Sequence, residues 1–277
     1  AYSQDNFCLL ADQVMKVNSK RSLYFGPGEE NEHVISDFGY LALELVSRAK
    51  AALPELSENS RAMISGYVKG VNHYLETTGV ENLAPECANA PWVRPMTEVD
   101  LLANYLAMVL LKSGDNFKAA FLAAHPPSLE QPQQQTLSQQ DLGLPNMLGT
   151  ELGSNGWALG RDMTRSRRGA LLANPHFANS GNLRFYEMHL NIPGHLNTTG
   201  VGISSFPLVQ IGFNENLGWT HTVSSPSSQF VIYRLRLLEG DPSKYVYQTL
   251  NGELQVRPIV SKTYTIQIGV GGDPVQE

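Results

Sequence analysis

The stretch Leu152–Gly160, LGSNGWALG, sets a serine directly after a glycine at the boundary between two kinds of sequence. Before it lies PPSLEQPQQQTLSQQDLGLPNMLGTELG, Pro126 to Gly153, rich in Gln, Pro and Gly and without an apolar period. This reads as a mobile linker, and a structureless connection of that length signals either function or a segment outside the fold. A Gly-Ser pair by itself is most often a turn. At a junction between linker and strand it offers another chemistry. Cutting Gly153–Ser154 would make Ser154 a new N-terminus, whose α-amine, with a reference pKa of about 7.7–8.0, would accept the proton of its own hydroxyl. One residue would then supply both nucleophile and base.

The sequence before the junction reads as helical. NFCLLADQVMKV places Phe7, Leu10, Val14 and Val17 on one helix face. The segment from Pro54 and Ser57 to Gly79 repeats Ile64, Val68, Val71 and Leu75 at three- and four-residue steps. Thr97 followed by Asp100 reads as a capping box that opens a helix through LLANYLAMVLLK. After the junction the period becomes two: GALLAN, RFYEMHLNI, LVQIGF, LGWTHTV, QFVIYRLRL, YVYQTL and TYTIQIGV alternate between Gly, Asn, Pro and Ser turns. The final GVGGDPVQE reads as a turn entering another strand. The pattern predicts an α+β fold, with antiparallel sheet after the junction and helices supplied largely by the part before it.

Composition narrows the chemistry. The 277 residues are 42 % hydrophobic and 17 % charged, ordinary for a globular protein. Lys+Arg 20 against Asp+Glu 26 gives a net charge of −6, which discounts DNA, RNA and anionic membranes as partners. The longest apolar runs fall short of a membrane span, and the N-terminus carries no signal peptide pattern. Two cysteines, Cys8 and Cys87, allow either one disulfide or two free buried thiols. The pattern G-x-S-x-G fails at Ser154, where Leu152 takes the first glycine's place, and at Ser204, where Phe206 takes the last. The seven histidines match no zinc motif, and neither a P-loop nor a G-x-G-x-x-G after a strand is present, so neither metal nor cofactor is expected.

Three blocks, GSNGWALG, LLANPHFANSGNLRFYEMHLNIPG and PLVQIGFNENLGWTHTV, follow in order after the junction. Together they resemble the start of the β-subunit in the penicillin acylase family of N-terminal-nucleophile hydrolases. AYSQDNFCLLADQVMKVNSKRSLYFG resembles the opening helix region of that family's α-subunit. The likeness leans toward the acyl-homoserine lactone acylases and the aculeacin-type acylases, and is weakest over residues 126–149. The resemblance implies an αββα four-layer sandwich. Residues 1–125 would correspond to the helical α-subunit portion, 126–153 to a spacer removed on maturation, and 154–277 to the N-terminal part of the β-subunit.

Carried onto this chain, the resemblance makes Gly153–Ser154 the processing bond and Ser154 the catalytic nucleophile, with its freed amine as base. His176 in NPHF would orient the serine, although a histidine after Asn-Pro is by itself more often a turn or packing residue. Val223 would offer its backbone N–H to the oxyanion, and Asn155 would support the new N-terminus. Phe177 and Leu183 would wall an acyl pocket, Trp219 would pack, and His221 would hydrogen-bond within the sheet. The family's second oxyanion donor falls beyond Glu277. Ser224 to Phe230, SSPSSQF, lacks the carboxylates with which some members hold calcium, so no calcium is expected there.

The implied activity is deacylation of N-acyl-homoserine lactones by a self-processing amidohydrolase whose two fragments stay together as a heterodimer. A penicillin, cephalosporin or lipopeptide acylase is the alternative within the class, and an unprocessed, non-catalytic binding scaffold the alternative outside it. The family is periplasmic or secreted, which suits a Cys8–Cys87 bridge.

Overall fold

The computed structural model of the chain describes residues 1–110, 118–123, 153–203, 206–222 and 235–269. The linker reading of residues 126–152 and the turn read in GVGGDPVQE therefore lie outside the described residues, as does most of QFVIYRLRL.

Helices fill the first part: α1 (Tyr2–Val17), α2 (Arg21–Phe25), α3 (Glu32–Ala42), α4 (Leu45–Ala52), α5 (Glu58–Thr78), α6 (Glu98–Val109) and α7 (Lys118–Ala123). Their limits follow from local chemistry. Ser57 Oγ accepts from the Ser60 N–H at 3.2 Å and opens α5, and Gly79, at φ 77°, closes it where a side chain would be strained. The capping box of α6 is complete: Thr97 Oγ1 accepts from Asp100 N, and Asp100 Oδ2 accepts from Thr97 N at 2.8 Å. Phe7, Leu10, Val14 and Val17 of α1 are buried against Ile64, Val68, Val71 and Leu75 of α5 and Leu101 of α6 in one apolar core. Cys8 and Cys87 are joined by a disulfide that ties α1 to the segment between α5 and α6.

Antiparallel strands form the second part. β1 (Gly153–Leu159) pairs with β2 (Ala170–His176). A four-stranded sheet runs in the order β3 (Phe185–Ile192), β4 (Leu196–Ile203), β5 (Ile211–Phe213) and β6 (Gly218–Trp219). A three-stranded sheet holds β7 (Arg236–Leu238), β8 (Asp241–Gln248) and β9 (Leu254–Pro258). The chain is thus α+β with antiparallel sheets. Among the described residues, no helix is long and apolar enough to cross a membrane.

Strand limits differ from the alternation in sequence. LVQIGF is strand only at Ile211–Phe213, and LGWTHTV only at Gly218–Trp219. β4 and β9 lie where no alternating run was singled out. TYTIQIGV alternates, yet through Gly269 it enters no sheet. It lies extended along the helices instead. Tyr264 stacks edge-on against Phe38, Ser22 Oγ donates to Gln267 O at 3.0 Å, and Gly269 N donates to Ser22 O at 2.9 Å. Alternate residues there meet a helix surface rather than a neighbouring strand, and period two alone does not distinguish the two.

A polar seam fastens the helices to the four-stranded sheet. Asn182, Arg184 and Tyr186, at strand spacing, reach Gln13, Asn6 and Asp5 of α1 at 3.2, 2.5 and 2.9 Å. Tyr2 packs edge-on against Tyr186, and Tyr105 stacks on Phe206 with ring centroids 4.3 Å apart. With one face of this strand committed to α1, Phe185 must point the other way.

Asp100 is the buried polar hub of the helical part. It accepts from Arg94 at 2.8 Å through each carboxylate oxygen, and from Asn18 and Thr97 as well. Burial alone would raise its pKa, but the hydrogen bonds from Arg94, Thr97 and Asn18 outweigh burial and hold the carboxyl below its ordinary value. Its contribution to stability is therefore complete above the unfolded-state pKa of about 4 and is lost as pH falls through the lowered folded value. Asp100→Asn is expected to lose about 2–3 kcal/mol at neutral pH and to flatten the stability profile below about pH 4. Urea unfolding of both proteins across that range measures this, and equal acid slopes would contradict it.

Candidate active site

The site is built on the first residues of β1. Pairing with β2 sets Gly153 opposite His176 and Ser154 opposite Pro175. Directly opposed residues of an antiparallel pair share a face, and successive residues alternate. Ser154, Gly156 and Ala158 therefore occupy one face, and Gly153, Asn155 and Trp157 the other.

The Ser154 face opens on a cavity of about 310 Å³ lined by Ser154, Phe177, Phe185, Ile203, Gln210, Ile211, His221 and Thr222. Phe177 and Phe185 form one wall, with ring centroids 5.0 Å apart. Ile203 ends β4 and Ile211 begins β5, so the adjoining ends of these two strands supply the other apolar side. The segment after β6 lies close against β1: a Cβ added to Gly156 would sit 2.9 Å from Thr220 Cγ2. Ser154 Oγ donates to the carbonyl oxygen of Gly153, so the hydroxyl lies beside the peptide bond that precedes it.

His176 stands on the other face of the hairpin. Its Nδ1 is 3.6 Å from where a Gly153 Cβ would be, and Asn174 Nδ2 bonds its Nε2 at 3.2 Å. His176 makes no hydrogen bond to Ser154 among the described residues. Asn155 is exposed opposite Asn174.

The structure brings Ser154 and Phe177 together and sets His176 next to the Gly153 side of the same bond. Leu183 sits half-buried in the turn before β3 and does not line the cavity. Val223 and Ser224 to Phe230 lie outside the described residues. His221 makes no hydrogen bond within the sheet among the described residues and instead lines the cavity. Phe185, Ile203, Gln210, Ile211 and Thr222 also line it, and no motif in the sequence marks them as site residues. Alternation along β3 could have marked Phe185, but nothing in the sequence marks Gln210. No group of three or more His, Cys, Asp or Glu suited to a metal occurs among the described residues.

This arrangement, a serine hydroxyl against its own preceding carbonyl at the mouth of an apolar cavity, fits what comparison with known proteins finds. The penicillin amidase family model matches residues 1–277. The chain belongs to the penicillin amidase family. It is 37 % identical over 278 residues to the acyl-homoserine lactone acylase PvdQ of Pseudomonas putida, covering 98 % of this chain and 35 % of that protein. It is 39 % identical over 259 residues to the protein of the same name from Pseudomonas savastanoi pv. phaseolicola, covering 89 % and 32 %. It is 33 % identical over 281 residues to the aculeacin-A acylase of Actinoplanes utahensis, covering 97 % and 35 %. The chain thus spans about a third of the length of these curated relatives.

The close approach of β1 to Thr220 is testable. Gly156→Ala is expected to cost about 1–3 kcal/mol by forcing the methyl of Thr220 aside. Adding Thr220→Ser, which removes that methyl, is expected to recover most of the loss. A double-mutant cycle by denaturant unfolding reads the coupling, and strictly additive effects would contradict the packing.

Proposed function

We propose that the full-length protein is a self-processing N-terminal serine acylase that hydrolyses the amide of N-acyl-homoserine lactones to a fatty acid and homoserine lactone. The observation that carries this reading is the position of Ser154, its hydroxyl beside the Gly153 carbonyl and facing an apolar cavity. Membership of the family and the names of the relatives supply the substrate class.

In this reading the first reaction is intramolecular. Ser154 Oγ attacks the Gly153 carbonyl carbon, the hydroxyl proton passes to the Ser154 nitrogen as the C–N bond breaks, and water hydrolyses the resulting ester to the Gly153 carboxylate and the free Ser154 hydroxyl. His176, next to Gly153, serves this bond as a positioning residue. The freed α-amine of Ser154 then takes the hydroxyl proton as Oγ attacks a substrate amide. It returns that proton to the leaving lactone amine, and water releases the fatty acid from the acyl-enzyme. Val223 would contribute its backbone N–H to the oxyanion, a role that a main-chain donor can fill whatever the side chain. Asn155 supports the new terminus. Phe177, Phe185, Ile203 and Ile211 receive the alkyl chain, whose transfer from water supplies binding free energy in proportion to apolar area.

Residues 1–125 and 154–277 then belong to two fragments held in one αββα four-layer unit, with 126–153 removed as the spacer. The seam between α1 and residues 182–186 and the strap 262–269 are the contacts that keep the fragments together after the cut. The Cys8–Cys87 bridge accords with an exported protein. The relative named aculeacin-A acylase favours a second reading, in which the acyl group is removed from a lipopeptide. One cavity methylene discriminates by only about 1–3 kcal/mol, so substrate screening separates the two.

The test is release of homoserine lactone from N-dodecanoyl-homoserine lactone by the full-length protein. Ser154→Ala is expected to reduce kcat/KM by at least about 1000-fold, and the wild-type rate is expected to fall on acidification as the amine protonates. A Ser154→Ala protein that kept the wild-type rate would remove Ser154 from the mechanism.

A further inference from the structure

Gln210 has a place in the cavity that its neighbours do not share. Its backbone N–H donates to Val201 O at 2.9 Å, which fixes the main chain where the β4–β5 ladder begins. Its side-chain Oε1 accepts from the backbone N–H of Ile203 at 2.7 Å. A backbone N–H only donates, so the oxygen of the amide must be the atom turned toward Ile203. The NH₂ group is then turned away from that bond, and it has no partner among the described residues. Gln210 lines the same small cavity as Ser154.

The other polar residues of the lining are differently placed. His221 and Thr222 are exposed in this chain. Gln210 is half-buried and borders Phe177, Phe185, Ile203 and Ile211. An unbranched alkanoyl chain entering this cavity would strip water from the amide donor and give nothing back. An acyl chain carrying an oxygen close to its carbonyl would replace that water. A site with a fixed donor discriminates strongly between ligands that satisfy it and ligands that leave it unpaired.

We infer that Gln210 is a specificity-determining residue, its Nε2 donating to a hydroxyl or keto oxygen near the carbonyl end of the acyl group. Such substrates are preferred over plain alkanoyl amides of the same length. The inference rests on the acylase reading of this cavity. The Ile203 bond holds the carboxamide in one orientation before substrate arrives, so little side-chain freedom is lost when the bond to substrate forms.

The experiment compares N-dodecanoyl- with N-(3-hydroxydodecanoyl)-homoserine lactone on the full-length protein. The wild type is expected to favour the hydroxylated amide by about tenfold in kcat/KM, mainly through KM. Gln210→Glu keeps an acceptor for the Ile203 N–H but has no donor, and is expected to erase or invert that ratio while leaving thermal unfolding near wild type. Gln210→Met, which loses both functions, is expected to erase the ratio and also to lower the melting temperature. A ratio of one in the wild type, or an unchanged ratio in Gln210→Glu, would overturn the inference, as would a ratio that moved with His221→Phe and not with Gln210→Glu. Equilibrium binding of 3-hydroxydodecanoate against dodecanoate gives the same comparison without turnover. A binding preference that Gln210→Glu removes, in a protein that cleaves neither amide, would leave Gln210 standing and overturn the acylase reading instead.

Discussion

The register between β1 and β2 decides which way Ser154 points, and the site depends on it. Side chains alternate along a strand, so a slip of one residue would turn Ser154 away from the cavity and bring Gly153 and Asn155 to it. The pairing Gly153 to His176 and Ser154 to Pro175 prevents this. The small residues on the cavity face allow close approach: at Gly156 a Cβ would lie 2.9 Å from Thr220 Cγ2, so a side chain there would push that methyl aside. The same alternation that turns Ser154 inward turns His176 to the Gly153 side, so the two groups flank one peptide bond from opposite faces.

The helical part acts on this site at one remove. Asn182, Arg184 and Tyr186 spend one face of the β3 approach on α1, which leaves Phe185 for the cavity. α1 is in turn held by the disulfide to Cys87 and by the apolar core against α5 and α6. Residues 262–269 return across α2 and α3 and approach Ser22, whose single hydroxyl proton is shared between Gln267 O and the fully buried Asp37. If the chain is cut before Ser154, noncovalent contacts such as these, together with the Tyr105–Phe206 stack, join the two parts. Their dispersal over α1, α2, α3 and α6 suits that task, because the loss of any one of them leaves the others in place.

Much of this was legible in the sequence wherever the determinants are local. Ser57, Gly79 and the Thr97–Asp100 box mark helix ends by chemistry confined to four residues, and those ends stand where the residues place them. The glycine-serine junction is also local, and Ser154 opens a strand there. Strand extents were less legible because pairing partners set them: LVQIGF is strand over only half its length, and 263–269 satisfies its alternation on helices. Gln210 was invisible for the same reason, since its orientation comes from the N–H of Ile203, seven residues away across a turn. His221 reads as a sheet residue by its place in LGWTHTV, and it is the approach of neighbouring Thr220 to Gly156 of β1 that accompanies its place in the cavity.

Purification of the full-length protein, followed by intact mass measurement and N-terminal sequencing, tests the central claim most directly. The account predicts two fragments, one of them beginning Ser-Asn-Gly-Trp at Ser154. A single uncut chain, or a cut at any bond other than Gly153–Ser154, would contradict it.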